Sequence, residues 1–173
     1  MTLTLEKVSE VKKIQEEWVT RGLTVAEIVR LEPRRILVDR GATYYVTVYV
    51  KAYFPWWYRV RVVAKIPGRP DVVVGESNAE FIWPFETKMF KVYFTVPEDI
   101  PPGRYTWVVE VWSVAFGQNL VKVDVEELEV TVSTKPPTKP PKTPTGVALS
   151  QLAPLIAVGA LVGAGLAIAT TSK

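Results

Sequence analysis

The sequence predicts an all-β domain, built as a two-sheet sandwich, with a short helix before it and a membrane-spanning helix after it. Three observations predict this fold class. Apolar residues recur at every second position through most of residues 23–134, as in half-buried strands. A spacing of three or four occurs only near the N-terminus. The C-terminal residues combine a proline-rich stretch with a long uncharged run.

The N-terminal part, residues 1–22, is expected to form an amphipathic helix. Thr4 can cap its start and Gly22 can end it. Such a helix can lie across an end or edge of the sheet, rest on a membrane interface, or dock on a neighbouring subunit. Its apolar face is expected to contain Leu5, Val8, Val11, Ile14 and Trp18.

The strands of residues 23–134 are expected to bury one parity of side chains and expose the other. Residues 45–54 are the clearest case, with valines on one face and tyrosines on the other. Residues 57–66, 89–96 and 105–112 repeat this pattern, and turns rich in Pro, Gly and Asp separate them. About seven strands in roughly 110 residues fit a two-sheet sandwich.

The last strand changes its parity. The apolar residues are Val121, Val123 and Val125, followed by Leu128, Val130 and Val132. One extra residue would keep both sets on the core side, so we predict a β-bulge or a break at Glu126-Glu127.

Residues 96–107, with the sequence VPEDIPPGRYTW, resemble the segment that leads into the penultimate strand of immunoglobulin-like modules. In those modules a Pro/Gly turn delivers Gly-x-Tyr into a strand, and Tyr105 stands where they often place a corner tyrosine. The resemblance is one of fold and covers residues 24–133, without the cysteine pair of antibody domains. It implies a module that binds, spaces or assembles, although fold alone does not name a function.

Residues 135–146 are expected to form an extended stalk. Five of the eleven residues 135–145 are proline, a composition typical of polyproline II structure. At the rise of that helix the segment spans roughly 34 Å. It can hold the domain clear of a surface or reach a neighbour.

Residues 147–170 are expected to form a single transmembrane helix. The uncharged run 152–169 is about 27 Å long as a helix, close to the apolar thickness of a bilayer. A buried core helix is the alternative. Because nine of these 18 residues are Gly or Ala, the helix suits close packing against copies of itself or a partner membrane protein. The residues expected to associate are Gly159, Gly163 and Ala167.

The side of the membrane stays open at this level. No signal-peptide-like run precedes the first charges, and the stalk lysines outnumber the one beyond the span, which favours a cytoplasmic domain. A stalked β-sandwich is nevertheless common on outward-facing proteins, and in a virus particle the chain would cross the lipid envelope.

Charge and composition disfavour several functions. The 21 basic residues include four lysines beyond residue 134, which leaves 17 against 18 acids in residues 1–134, so nucleic acid is not an expected partner. Without Cys or His there is no disulfide, zinc finger or thiol nucleophile. With no phosphate loop or catalytic triad either, we expect neither enzymatic activity nor a cofactor. The sequence contains few Asn and Gln residues and many charged residues and prolines. This composition is typical of a protein from a thermophile.

Two aromatic-proline segments, residues 54–58 and 81–85, mark strand ends. They either plug the ends of the sandwich or form an exposed contact patch for a protein, a glycan or the membrane interface. The outward row of Tyr45, Tyr49 and Tyr53 would extend such a patch. The candidate contact residues are Trp56, Trp57, Tyr58, Trp83 and Phe85.

Two functions follow from these expectations. The first is a membrane-anchored structural or assembly protein that displays a β-sandwich, for example in a viral envelope or a thermophile's surface layer. The second is a tail-anchored adaptor that binds a protein or a glycan through aromatic loops.

Overall fold

The structure, a computed structural model, describes residues 4–136, and in them the chain is mostly β with one short N-terminal helix, as the sequence predicts. The predicted transmembrane helix and nearly all of the predicted stalk lie outside these residues. The elements are α1 (Leu5–Thr20), β1 (Ala26–Glu32), β2 (Arg35–Val38), β3 (Thr43–Ala52), β4 (Trp56–Ala64), β5 (Val72–Glu76), β6 (Glu80–Ile82), β7 (Thr87–Thr95), β8 (Gly103–Ala115) and β9 (Gln118–Val132).

The strands form a nearly closed sheet in the order β1-β3-β7-β5-β4-β8-β9-β2, and β6 pairs with β4 outside this path. All pairs are antiparallel except β2 with β9, which is parallel. The sheet is nearly closed because β1, at one end, approaches β9 near the other end, where the backbone N–H of Ile28 in β1 donates to the Asp124 carboxylate of β9 at 2.6 Å. A side chain thus satisfies a strand-edge donor that would otherwise lack a partner.

Strands β5 and β7 share the shortest stretch of pairing in the sheet. Gly75 and Phe94 form the one residue pair between these strands. A Cβ atom at Gly75 would lie 2.3 Å from the Tyr93 carbonyl oxygen, so only glycine allows this approach.

The core follows the predicted alternation of side chains. Inward positions of β3, β4, β7 and β8 are buried, and the outward tyrosines of β3 are not. Trp107 lies fully buried at the centre, with its ring 5.9 Å from that of Phe94. The burial of alternate residues supplies the main stabilisation of such a sheet.

Helix α1 begins and ends as predicted, but its buried stripe differs from the prediction. The Lys7 backbone N–H donates to the Thr4 hydroxyl at 3.4 Å, and Gly22 follows the helix with φ +73°. Leu5 and Ile14 are exposed, so their predicted place on the apolar face is wrong. Burial falls instead on one stripe spaced by three and four residues, which includes the polar Gln15. The stripe consists of Val8, Val11, Gln15 and Trp18.

The parity change in β9 is present, but its predicted position is wrong. Pairing with β8 runs unbroken through Glu126 and Glu127. The register shifts instead at Val123 and at Leu120, which have no partner residue in β8. The bulge lies beside the point where β1 approaches, and it turns the neighbouring Asp124 towards Ile28. Val125 is consequently exposed rather than buried.

Candidate contact surface

The register of the strands gathers the aromatic segments at one end of the domain. The turn after β3, the connection from β6 to β7 and the turn between β8 and β9 all lie there, because β4 pairs with both β6 and β8. The Phe85 backbone N–H donates to the Ala52 carbonyl oxygen at 2.7 Å and ties the second segment to the end of β3. We call this end the aromatic pole. It is defined by Trp57, Phe81, Trp83, Phe85 and Phe116.

Three of the five predicted contact residues are exposed at the aromatic pole. Trp57 is 41% exposed, Trp83 65% and Phe85 71%. Phe81 joins the two tryptophans, since its ring centroid lies 5.7 Å from Trp57 and 4.9 Å from Trp83, both edge to face. Phe85 stands to one side and packs edge-on against Tyr53 at 5.9 Å.

The other two predicted contact residues, Trp56 and Tyr58, belong to the core. Both are buried, so their expected place on an exposed patch is wrong. They share the parity of Val60, whose side chain faces inward along β4. The Tyr58 hydroxyl donates to the Phe54 carbonyl oxygen at 2.6 Å, which satisfies its polar group in the interior.

Burial raises the pKa of the Tyr58 hydroxyl above its ordinary value of 10.0. The unfolded chain therefore loses this proton at a lower pH than the folded chain, and the free energy of unfolding falls as pH rises above about 10. We expect Tyr58→Phe to lower stability at neutral pH by about 1 kcal/mol, because the hydrogen bond is lost. We also expect the free energy of unfolding of this variant to fall less between neutral pH and about pH 11 than that of the parent chain.

Urea denaturation of the two proteins at a series of pH values measures this difference. Other titrating groups contribute equally to both chains, so only the difference between the slopes reports on Tyr58. If the free energies of unfolding of the two proteins fell by the same amount above about pH 10, the hydroxyl would not hold its proton in the folded domain.

The sequence reasoning missed Phe116, which is 58% exposed at the tip of the β8–β9 turn. Phe116 and Phe85 both have left-handed backbones, with φ of 49° and 65°. A bulky residue in this conformation costs about 1–3 kcal/mol, and such strain clusters at functional sites. The signal in the sequence was the position of Phe116 directly before Gly117 in a predicted turn.

An open pocket of about 230 Å³ lies between Trp57 and Phe116. None of the side chains lining it is charged or carries a hydrogen-bonding group other than the Trp57 indole. The pocket therefore suits an apolar ring or side chain. Its remaining lining residues are Ala79, Val114, Ala115 and Gly117.

Two of the outward tyrosines form a separate surface on the β3–β7 face and do not extend the aromatic pole. The Tyr45 ring lies 5.7 Å from that of Tyr93, and the Lys91 ammonium sits 4.0 Å above the Tyr45 ring. Arg30 lies 5.4 Å from the Tyr49 ring centroid. These cations cover the ring faces, so the face is less available than the aromatic pole for an apolar partner.

The chain leaves the domain at the opposite end, which we call the exit pole and define by Arg40, Ser133 and Lys135. The Ser133 backbone N–H donates to the Val38 carbonyl oxygen at 2.8 Å, and Arg40 donates to the Lys135 carbonyl oxygen at 2.8 Å. The 15 residues of β9, two of which are skipped in its pairing with β8, separate the two poles by about 40 Å at the usual rise of a strand.

The predicted helix-association residues Gly159, Gly163 and Ala167 lie outside the described residues. Within residues 4–136, no helix is long and apolar enough to cross a bilayer, and no group of three or more acidic side chains is placed to hold a metal ion. The sequence matches no protein-family model, and no curated protein gives a significant match.

Proposed function

We propose that this chain is a membrane-anchored assembly protein whose β-domain is held at its exit pole and makes contacts through its aromatic pole. The observation that carries this proposal is the separation of the exposed aromatic cluster from the chain exit, at opposite ends of β9. A large exposed apolar patch at a defined place is typical of a contact site. A tether at the other pole leaves that patch free for a partner.

We propose further that the domain is an immunoglobulin-like two-sheet sandwich. The antiparallel pairing of β1 with β3 and the parallel pairing of β2 with β9 support this, because in such a sandwich the N-terminal strands are divided between the two sheets. The Gly75–Phe94 contact then marks the junction between the sheets. The Tyr105 hydroxyl donates to the Pro101 carbonyl oxygen at 2.7 Å, as a corner tyrosine does.

The anchor in this proposal is a single transmembrane helix over residues 147–170, joined to the domain by the stalk of residues 135–146. Gly159, Gly163 and Ala167 would bring such helices together in the bilayer. A viral envelope or the surface layer of a thermophile is a setting in which many copies stand side by side. No nucleic acid, cofactor or catalytic step enters this role.

A second candidate function is that of a tail-anchored adaptor for a soluble protein or a glycan. The pocket between Trp57 and Phe116 favours it, because its volume of about 230 Å³ accommodates one side chain or one sugar ring. In that case, loss of the aromatic pole would leave association between copies unchanged.

The double variant Trp57→Ser with Trp83→Ser tests the proposal on the full chain in membranes. We expect the protein to stay folded and membrane-bound, while cross-linked oligomers fall at least about twentyfold, because exposed aromatic anchors commonly contribute more than about 1 kcal/mol each. The matched control is Tyr45→Ser with Tyr93→Ser, which removes two exposed rings from the β3–β7 face.

Carbonate extraction of the membranes, circular dichroism and chemical cross-linking supply the three readouts. Release of the parent chain into the soluble fraction would overturn the anchor. Equal cross-linking of the parent and the double variant would overturn the aromatic pole as the contact between copies and would favour the adaptor.

A further inference from the structure

We propose that the aromatic pole of one copy binds the proline-rich stalk of a neighbouring copy, so that the chains assemble head to tail. This inference rests on the proposed contact function of the aromatic pole and names its partner. The occupant is the segment of residues 135–146, which carries Pro136, Pro137, Pro140, Pro141 and Pro144.

The chemistry of the stalk fits an aromatic surface. A polyproline II segment forms no internal hydrogen bonds, and proline restricts its backbone before binding, so little conformational entropy is lost. Exposed tryptophan and tyrosine rings are the usual receptors for such segments, because proline rings pack on them while their N–H or O–H groups reach the free carbonyls.

The aromatic pole offers the features that such a segment needs. Trp57, Phe81 and Trp83 pack edge to face in a row and present a continuous aromatic surface. The apolar pocket beside Trp57 has room for a proline ring. Among residues 4–136, Trp112 alone donates its indole N–H to a hydrogen-bond acceptor, so the exposed indoles of the pole have donors to spare.

The charges of the two segments are complementary. Residues 76–86 contain three glutamates and no Lys or Arg, whereas residues 135–145 contain three lysines and no acid. Arg59 lies 2.9 Å from Glu76 and neutralises it, and Lys88 lies 3.6 Å from Glu80. Glu80 pairs with one lysine, and Glu86 forms no ion pair within residues 4–136, so both can meet the lysines that alternate with the prolines.

The geometry of the exit requires that the stalk come from another copy. Arg40 donates to the Lys135 carbonyl oxygen, and the Lys135 backbone N–H donates to the Ser133 hydroxyl. These two hydrogen bonds hold Lys135 at the exit pole. From there, residues 135–145 reach at most about 40 Å when fully extended. Because the poles lie about 40 Å apart, only the last residues of a fully extended stalk would reach its own aromatic pole, so several prolines can bind there only when the stalk belongs to another copy.

A contact between two different surfaces is heterologous and extends into rows of copies instead of closing on a dimer. For copies anchored in one membrane, the contact requires each domain to lean over its neighbour. A stalk of roughly 34 Å gives the domain the freedom to do so. The result is a layer of overlapping domains, which is consistent with a structural role in an envelope or a surface coat.

Because the chain has no cysteine, a disulfide between two introduced residues tests the contact directly. One full-length copy carries Asn78→Cys beside the aromatic pole, and a second carries Thr138→Cys in the stalk. Mixed in detergent and oxidised, they are expected to form a disulfide-linked heterodimer as the main product. Adding Trp83→Ala to the first copy is expected to lower its yield at least about tenfold.

Two controls decide the interpretation. Adding Tyr93→Ala, which removes an exposed ring from the β3–β7 face, is expected to leave the yield unchanged. Replacing the five stalk prolines by alanine in the second copy is expected to abolish the heterodimer. High salt is expected to reduce the yield, since charges on both segments contribute.

A heterodimer yield that does not change with Trp83→Ala, or no heterodimer at all, overturns this inference. If the Trp57 and Trp83 double variant still loses its oligomers in membranes, the aromatic pole remains a contact site and only its partner has been misassigned. If those oligomers also persist, the proposed function fails as well.

Discussion

Replacing Trp107 by alanine is expected to cost the domain about 3–5 kcal/mol of its free energy of unfolding, the range typical of a fully buried aromatic side chain. Trp107 is fully buried, and its ring packs edge to face against Phe94 from the opposite side of the core. Its removal leaves a cavity between elements that are held by their own hydrogen bonds and cannot close around it. A domain of this size is stable by only about 5–15 kcal/mol.

The matched control is the same substitution at Trp83, which is 65% exposed. There we expect a change of about 1 kcal/mol or less, since only the edge-to-face contact with Phe81 is lost. Urea denaturation followed by circular dichroism gives both values on one scale. Similar losses at the two positions would contradict the assignment of Trp107 to the core and Trp83 to the surface.

Replacing Gly75 by alanine is expected to destabilise the domain by about 3 kcal/mol or more, although it adds only one methyl group. The new Cβ atom would lie 2.3 Å from the Tyr93 carbonyl oxygen and 2.9 Å from the Phe94 Cα atom. Since these are backbone atoms, no rotation of a side chain relieves the contact. Strands β5 and β7 must separate, at the one residue pair that joins them.

Gly68→Ala separates this steric effect from the general cost of replacing glycine. Gly68 has φ +77°, and no atom lies within 4 Å of the point that a new Cβ atom would occupy, so only the backbone strain of about 1–2 kcal/mol is expected there. Thermal unfolding of both variants measures the contrast. Equal melting temperatures would mean that β5 does not need to approach β7 so closely.

Strand parity is the most informative signal in the sequence, and it also separates the contact residues from the core residues. Parity alone places Tyr58 with Val60 on the core face and Trp57 with Arg59 on the outer face, as the structure has them. A single exposed patch made of consecutive aromatic residues is incompatible with this alternation. Adjacent residues of a strand point to opposite sides, so the segment divides between core and surface.

Strand parity does not determine the position of the β9 bulge. Parity required one extra residue between Val121 and Leu128 but gave no reason to prefer Val123. That choice depends on β1, whose Ile28 N–H approaches Asp124 from a distant part of the chain. Contacts between segments so far apart in the sequence leave no periodic trace in either one.

The amino-acid sequence by itself determined the mostly-β architecture, the start and end of α1 and the burial of alternate residues in the main strands. Each follows from local chemistry, namely side-chain periodicity, a capping threonine and a helix-ending glycine. Only the tertiary structure decided that Trp57, Trp83 and Phe116 meet at one pole while the chain leaves at the other. Strand register sets that arrangement, because pairing between distant segments fixes which turns share an end of the sheet.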